Sequence, residues 1–316
     1  MDLPAAGHEP VLVNEVIQFL QPRPGDTLID CTLGRAGHAS AIAPLLGPTG
    51  TYVGLDVDPN NLEFAQQRLA SAPCRVRFFH ANFAELDAVW MEIGKPRVSG
   101  ILADLGLSTN QLFDERYGLS FAQPMPLDMR IDPRIDKTAA DLVNKLAETD
   151  LANVLYELAQ ERYSRRIARK IVEARRTSPI ITTDRLAELV RSVIPTHEQK
   201  REKIDPATRT FLALRMAVNR ETENLAALLE RAPHLLGSRG DAVDAIDLSD
   251  ARSAGRLGVI SFQSTEDRMV KLAFRSAEQT GLLRVLTKKP VSPTDQELAA
   301  NPRSRSAKLR VAEKCW

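Results

Sequence analysis

Through its first hundred residues the chain alternates short apolar runs with longer stretches of helical character. The runs 27–30 (TLID), 51–56 (TYVGLD), 76–80 (VRFFH) and 100–104 (GILAD) are β-rich or apolar, and each ends on a polar side chain. Helical stretches such as 60–70 lie between them, with Pro59 placed to start a helix. Short strands alternating with helices predict βαβ units and a parallel sheet. From about Leu112 to Asn219 the periodicity is helical with almost no strand signal. Strand character returns at 256–262 (RLGVISF), 283–287 and 308–312. The pattern predicts a discontinuous α/β domain, residues 1–111 and 220–316, around an inserted helical domain, residues 112–219. The small, acidic stretch 237–255 (GSRGDAVDAIDLSDARSAG) reads as a loop.

Composition narrows the class. The 316 residues are 43% hydrophobic and 26% charged, ordinary for a soluble globular protein, with a net charge of +1. That balance hides local asymmetry: residues 160–176 carry seven positive and two negative charges, and residues 284–314 carry eight and three. No apolar stretch approaches the ~18 residues of a membrane span. The N-terminus lacks the pattern of a secretory leader. Three widely spaced cysteines fit a reducing cytosol, and five scattered histidines offer no metal-ligand pair.

The sharpest local feature is the loop 30–38 (DCTLGRAGH), between the first strand and a helix. Gly34 and Gly37 let the backbone turn tightly and approach a ligand. Asp56 ends the second strand, 22 residues beyond Gly34, where an acid can accept ribose hydroxyls. Together these point to an adenosine-containing cofactor at the carboxyl ends of the strands. The spacing is G-x-x-G, with Ala36 where a dinucleotide cradle would want glycine, which suits S-adenosylmethionine, a cofactor without phosphates. A plain glycine turn is the alternative. Asn82-Phe83 follows the third strand, where Phe83 either stacks on an adenine or belongs to the core. Asp104 ends the fourth strand, either beside the transferred methyl or as a helix cap.

Longer motifs then accumulate: HEPVLVNEVI (8–17), IDCTLGRAGHA (29–39), GLDVDP (54–59), ADLGLSTNQL (103–112), PLDMRID (126–132), ERYSRRIARKIVEAR (161–175), KIDPATRTFLALRMAVNRE (203–221), VISFQSTEDRMVK (259–271), LTKKPVSP (286–293) and NPRSRSAKLRVAEK (301–314). In their order and number the chain resembles, nearly end to end, the bacterial family of 16S ribosomal RNA cytosine-N4 methyltransferases known as RsmH or MraW. The resemblance implies a class I S-adenosylmethionine-dependent, Rossmann-like sheet with an inserted all-helical domain for RNA recognition. It implies methyl transfer to N4 of a cytidine in the decoding region, with small-subunit ribosomal RNA or a 30S-like particle as partner. It also implies a cytoplasmic protein without a membrane partner, and leaves a homodimer open. Carried over by motif, the cofactor contacts are Ala36, Gly37, His38, Asp56, Phe83, Asp104 and Gln111. Five positions depart from the family: Ala36 for glycine, Asn110 for proline, Tyr117 for glycine, Asp205 for histidine and Gln263 for histidine. If position 36 needs φ > 0, alanine costs about 1 kcal/mol there.

The chemistry needs no metal, because a sulfonium methyl is already electrophilic. The difficulty is the nucleophile: the cytosine amine is conjugated into its ring. A carboxylate accepting an amine hydrogen frees the lone pair and receives developing charge, and Asp104 is the expected catalytic residue. In DNA amino-methyltransferases a D-P-P-Y segment fills this place, whereas here it is DLGLS. His38 is expected to bind or to shape the loop rather than act as a general base. Asp128 and Glu266-Asp267-Arg268 are either target-pocket groups or an ion-pair network. Arg162, Arg165, Arg166, Arg169 and Lys170 share a helical spacing that makes one cationic stripe, with Ile167 and Ile171 facing inward. With Arg303 and Arg305 they are the expected RNA contacts. Phe121, Tyr117 and Phe262 are candidates to hold an unstacked base, or are core. The competing readings are a cofactor-binding ribosome-assembly or RNA-binding protein with weakened catalysis, and a small-molecule methyltransferase.

Overall fold

The structure, a computed structural model, describes residues 10–201, 204–238 and 254–315. The first nine residues, on which the absence of a leader was read, and most of the acidic stretch 237–255 lie outside them. The described ends of that stretch meet, Gly255 N–H donating to the Gly237 carbonyl at 2.8 Å.

Seven strands form one sheet: β1 (Thr27–Asp30), β2 (Thr51–Asp56), β3 (Arg75–His80), β4 (Gly100–Asp104), β5 (Arg256–Ser261), β6 (Leu283–Val285) and β7 (Lys308–Lys314), in the order β3-β2-β1-β4-β5-β7-β6. The first five strands in that order run parallel, and β7 is antiparallel to both β5 and β6. This is the order and direction of a class I methyltransferase sheet. The parallel strands read as unbroken apolar runs because helices cover both faces. Alternation sorts their residues. Ile29, Val53, Ile101 and Leu257 pack with the helix Glu221–Leu235 and with Val270 and Phe274. Leu28, Tyr52 and Leu102 pack on the other face with the helices Val13–Leu20 and Gly37–Leu46.

Strand ends differ from the sequence expectation for local reasons. The ladder of β5 stops at Ser261 because the Glu266 carboxylate takes the Phe262 N–H at 3.1 Å. β6 is shorter than 283–287 because the Leu286 and Thr287 amides both turn to one acceptor, the Val311 carbonyl. β7 runs on to Lys314, whose N–H bonds the Gly255 carbonyl at 2.9 Å.

The chain divides into two compact units, residues 1–106 with 223–316, and residues 107–222. The expected boundaries at 111/112 and 219/220 thus each shift by a few residues. Leu107 and Leu112 pack on the helical core, and the Arg215–Glu221 ion pair (2.7 Å) ties the far end of the unit. Between them, helices Glu148–Ala159, Ser164–Arg175, Thr183–Val193 and Thr208–Val218 bury Leu151, Leu155, Ile167, Ile171, Leu186, Val190 and Leu214 in one cluster. No described helix is long and apolar enough to cross a membrane.

In the helical unit Gly118 has φ +60°, and a Cβ there would collide with the Pro126 carbonyl oxygen. Gly118→Ala therefore meets both left-handed strain and an immovable backbone atom. It should lower stability by about 2–4 kcal/mol, measured by denaturant unfolding. A change below about 0.5 kcal/mol would contradict this packing.

Candidate active site at the carboxyl edge of the sheet

The strand order reverses direction between β1 and β4, and open α/β sheets bind ligands beside such a switch point. The segment leaving β1 is held on three sides. Cys31 N–H bonds the Leu102 carbonyl and Leu33 N–H the Leu55 carbonyl, both at 2.8 Å, and Gly34 N–H donates to Asp56 Oδ2 at 2.7 Å. Leu33 can tuck inward because Gly54 lacks a side chain: a Cβ there would come within 2.6 Å of Leu33 Cδ2. Gly34 (φ 53°) and Ala36 (φ 60°) are both left-handed. Position 36 is therefore one that favours glycine, and the alanine carries the expected strain of about 1 kcal/mol. Its methyl is fully buried, which offsets part of that cost. Gly37 starts the following helix, with Pro10 packed so close that a Cβ would lie 3.0 Å from it.

Asp56 is buried at the end of β2 and accepts three hydrogen bonds: from Gly34 N–H, from Asp58 N–H at 2.8 Å and from Asn61 Nδ2 at 3.4 Å. A carboxylate offers about four acceptor positions, so one hydroxyl finds room without displacing a partner. A second would replace the long Asn61 contact. Burial pushes the Asp56 carboxyl up to about 7, against the lowering effect of its backbone donors. Asp58 caps the helix Pro59–Arg68 by accepting from Asn60 N–H at 2.9 Å, so Pro59 does open a helix.

Asp104 ends β4. Its N–H donates to Thr32 Oγ1 at 2.6 Å, its Oδ2 lies 3.7 Å from His38 Nδ1, and its Oδ1 is buried with no partner among the described residues. Burial raises its carboxyl to about 6, His38 pulls it down, and Asp30 pushes it up. His38 is buried, with Nε2 2.8 Å from the Val11 carbonyl oxygen. Asp30 sits behind them at the end of β1, raised by burial and bonded by the Tyr52 hydroxyl (2.7 Å) and Thr32 N–H (3.1 Å).

Asn82 caps the turn Phe83–Glu85 by accepting from Ala84 N–H at 2.8 Å, and Phe83 is partly buried against the core at the end of β3. Gln111, expected among the cofactor contacts of the sheet domain, belongs instead to the helical unit. There its Oε1 accepts from Ser108 N–H at 3.1 Å and closes the first turn of the helix Thr109–Phe113. The sheet thus brings Gly34, Ala36, Gly37, His38, Asp56, Phe83 and Asp104 to the ends of neighbouring strands. Asp30 and Thr32 lie in the loop singled out in the sequence but were given no role of their own there, and nothing local marks Tyr52.

Of the expected RNA contacts, Arg165, Arg166 and Arg169 are exposed on the helix Ser164–Arg175 while Ile167 and Ile171 are fully buried. Arg162 precedes that helix in a turn. Arg169 lies 3.5 Å from Glu148, and the Arg166 guanidinium stacks on Tyr163 at 5.5 Å. Arg166, Arg169 and Lys170 line an open groove of about 290 Å³ with Glu173, Ser192 and Val193. Arg303 and Arg305 are exposed on the short helix Pro302–Ser306. Much of the remaining C-terminal charge is spent internally: Arg310 and Lys308 on Asp267 (2.7 and 3.6 Å), and Arg284 on Glu313. Burial would raise the Asp267 carboxyl, but Arg310 and Lys308 outweigh it and hold it low.

Other side groups serve the fold. Asp128 pairs with Arg130 at 2.7 Å, and Glu266 caps its helix through Phe262 and Gln263 N–H. Phe121 meets Phe211 edge-on at 4.6 Å and Tyr117 is in the helical core, so the core alternative describes both. Phe262 is partly buried against the sheet core. Asp205 pairs with Arg191 at 2.9 Å and accepts from Ala207 N–H at 2.8 Å in the turn before the helix Thr208–Val218.

Asp56 and Asp104 both hold their protons more tightly folded than unfolded. The stability they contribute is complete below the ordinary value of 3.8 and is lost as pH rises through about 6 and about 7. Asp141, Asp184 and Asp267, held low, act only beneath that window. The ligand-free chain should lose unfolding free energy between about pH 4 and about pH 7, and Asp104→Asn should flatten the slope. Urea titrations across that range would contradict the burial of both acids if stability rose instead.

The model of the MraW methylase family matches residues 5–315. The ribosomal RNA small subunit methyltransferase H of Acidobacterium capsulatum is 45% identical over 314 residues, covering 97% of this chain and 98% of that protein. That of Thermotoga neapolitana is 44% identical over 308 residues, covering 97% and 95%.

Proposed function

The chain belongs to the MraW methylase family, and we propose that it transfers the methyl group of S-adenosylmethionine to N4 of a cytidine in the decoding region of small-subunit ribosomal RNA. The observation that carries this reading is Asp104 Oδ1, a buried carboxylate oxygen without a partner among the described residues, beside the switch point of the sheet. An acceptor desolvated and left unsatisfied costs on the order of 1–3 kcal/mol or more. Such an atom is accounted for when a donor arrives with the substrate, and a cytosine amine is such a donor.

S-adenosylmethionine, when bound, supplies the electrophilic methyl. The residues present fit it. The left-handed turns at Gly34 and Ala36 carry the chain tightly from β1 into the next helix, Asp56 has room for a ribose hydroxyl, and Phe83 offers a ring at the adjacent strand end. Asp104 Oδ1 accepts an amine hydrogen, which frees the nitrogen lone pair and places negative charge where positive charge develops. Holding the nitrogen in line with the methyl supplies much of the remaining acceleration.

The exposed cations of the helix Ser164–Arg175, with Arg162, Arg303 and Arg305, bind RNA phosphates. They favour a polyanionic substrate over a small molecule, which has no use for them. The departures that motivate a non-catalytic assembly factor are absorbed locally: Asp205 in its pair with Arg191, Gln263 as an N-terminal helix residue, Ala36 as a strained but formed turn.

With labelled cofactor and small-subunit RNA lacking the modification, as bare RNA or as the 30S particle, the chain should turn over many times. A failure on both would favour the assembly factor. Asp104→Ala should slow transfer by roughly 10²–10³-fold while cofactor affinity, reduced, stays measurable by calorimetry. Near-normal turnover would remove Asp104 from the chemistry.

Arg165→Ala with Arg166→Ala should weaken binding of any RNA sequence alike and lower the salt slope by roughly one unit for each phosphate no longer neutralised. An unchanged slope in a filter-binding series would exclude this helix from the interface.

A further inference from the structure

His38 is buried and meets Asp104 side chain to side chain. Its Nε2 lies 2.8 Å from the Val11 carbonyl oxygen, which can only accept, so Nε2 carries the ring proton. In the neutral ring Nδ1 therefore keeps a bare lone pair. That nitrogen faces Asp104 Oδ2 at 3.7 Å, while Asp104 Oδ1 has no partner among the described residues. The carboxylate has one oxygen lacking a donor among the described residues and the other turned toward a nitrogen able to take a proton.

A second carboxylate lies close to that ring. Asp30, 1% exposed, stands behind the pair and interacts electrostatically with both His38 and Asp104. Tyr52 and Thr32 hold Asp30 in place from β2 and from the loop. The groups facing the imidazole are thus two carboxylates and one carbonyl, with the Tyr52 hydroxyl beyond.

We propose that His38 is the final acceptor of the proton released in methyl transfer, acting through Asp104 as a positioning residue. The inference rests on the reading that Asp104 meets the cytosine amine. The amine lone pair forms the new N–C bond as the C–S pair withdraws onto sulfur, and the sulfonium's positive charge passes to N4. N4 then sheds one proton to Asp104 Oδ1. A half-turn about χ2, a soft twofold torsion, presents that proton to His38 Nδ1. The methylated amine leaves neutral, and the charge rests on an imidazolium between Asp30 and Asp104 until the ring returns its proton to solvent. Without such an acceptor the proton stays on Asp104, whose buried carboxyl already holds protons up to about pH 6, and the carboxylate is not ready for the next cycle.

The test uses the full chain without cofactor or RNA, labelled with ¹⁵N-histidine and ¹³C-aspartate, and read by NMR across a pH series. The neutral His38 ring should be the Nε2–H tautomer. His38→Gln keeps an N–H for Val11 but has no basic nitrogen. It should raise the Asp104 midpoint by about one pH unit, and the acidic limb of the pH–rate profile should move with it. A neutral Nδ1–H tautomer, or an Asp104 midpoint unmoved in His38→Gln, would overturn the proposal. If His38→Gln does not fold, the tautomer in the unaltered chain decides alone. These titrations need no substrate, so their failure is distinct from a failure of the unaltered chain to methylate RNA.

Discussion

Three carboxylates, Asp30, Asp56 and Asp104, terminate the parallel strands β1, β2 and β4 where water is nearly excluded, and the site depends on how each is held. Asp30 is bonded by a tyrosine hydroxyl and a backbone amide, and Asp56 by two backbone amides and an asparagine. Asp104 keeps one oxygen with no donor among the described residues. Burying charge is costly unless it is paired, and all three respond by holding their protons more tightly than a carboxyl in water. Asp30 and Asp56 are thus both supplied with donors, Asp56 with three, while Asp104 is the acid left with an acceptor to fill. A folded chain retains an unsatisfied acceptor most readily where a ligand completes it.

The same separation of supporting and working groups runs through the arginines. Arg130, Arg191, Arg215, Arg256 and Arg310 each pair with an acid. These pairs cancel in the net charge of +1. Exposed cations remain on the helix Ser164–Arg175 and on the short helix Pro302–Ser306, so a chain nearly neutral overall still presents local positive charge to phosphates. The second basic segment looked as strong as the first in the sequence, yet β7 spends much of it on Asp267 and Glu313.

How far the sequence could be read follows from the range of each interaction. The strands were legible because a parallel strand buried on both faces needs a continuous apolar run. The loop after β1 was legible because only a few residue types tolerate its turns. Ala36 marks the boundary. Its neighbours showed that a tight turn was needed, but whether alanine sits at φ > 0 depends on the backbone around it. Phe121 and Tyr117 could have been a base platform or core, and the choice rests on Phe211 and the helices around them, far along the chain. Gln111 lay in the right motif, and packing of Leu107 and Leu112 set the unit it belongs to.

Local patterning, then, determined the α/β sheet, the helical insertion, the glycine-bearing loop and the acids at the strand ends, because each follows from side-chain period and backbone freedom within a few residues. Tertiary structure alone decided which donors reach those acids, which arginines stay outward and which nitrogen of His38 holds the proton. Those outcomes require Val11, His38 and Asp104, or Arg310 and Asp267, to meet across long stretches of chain, and no local pattern encodes a distance between them.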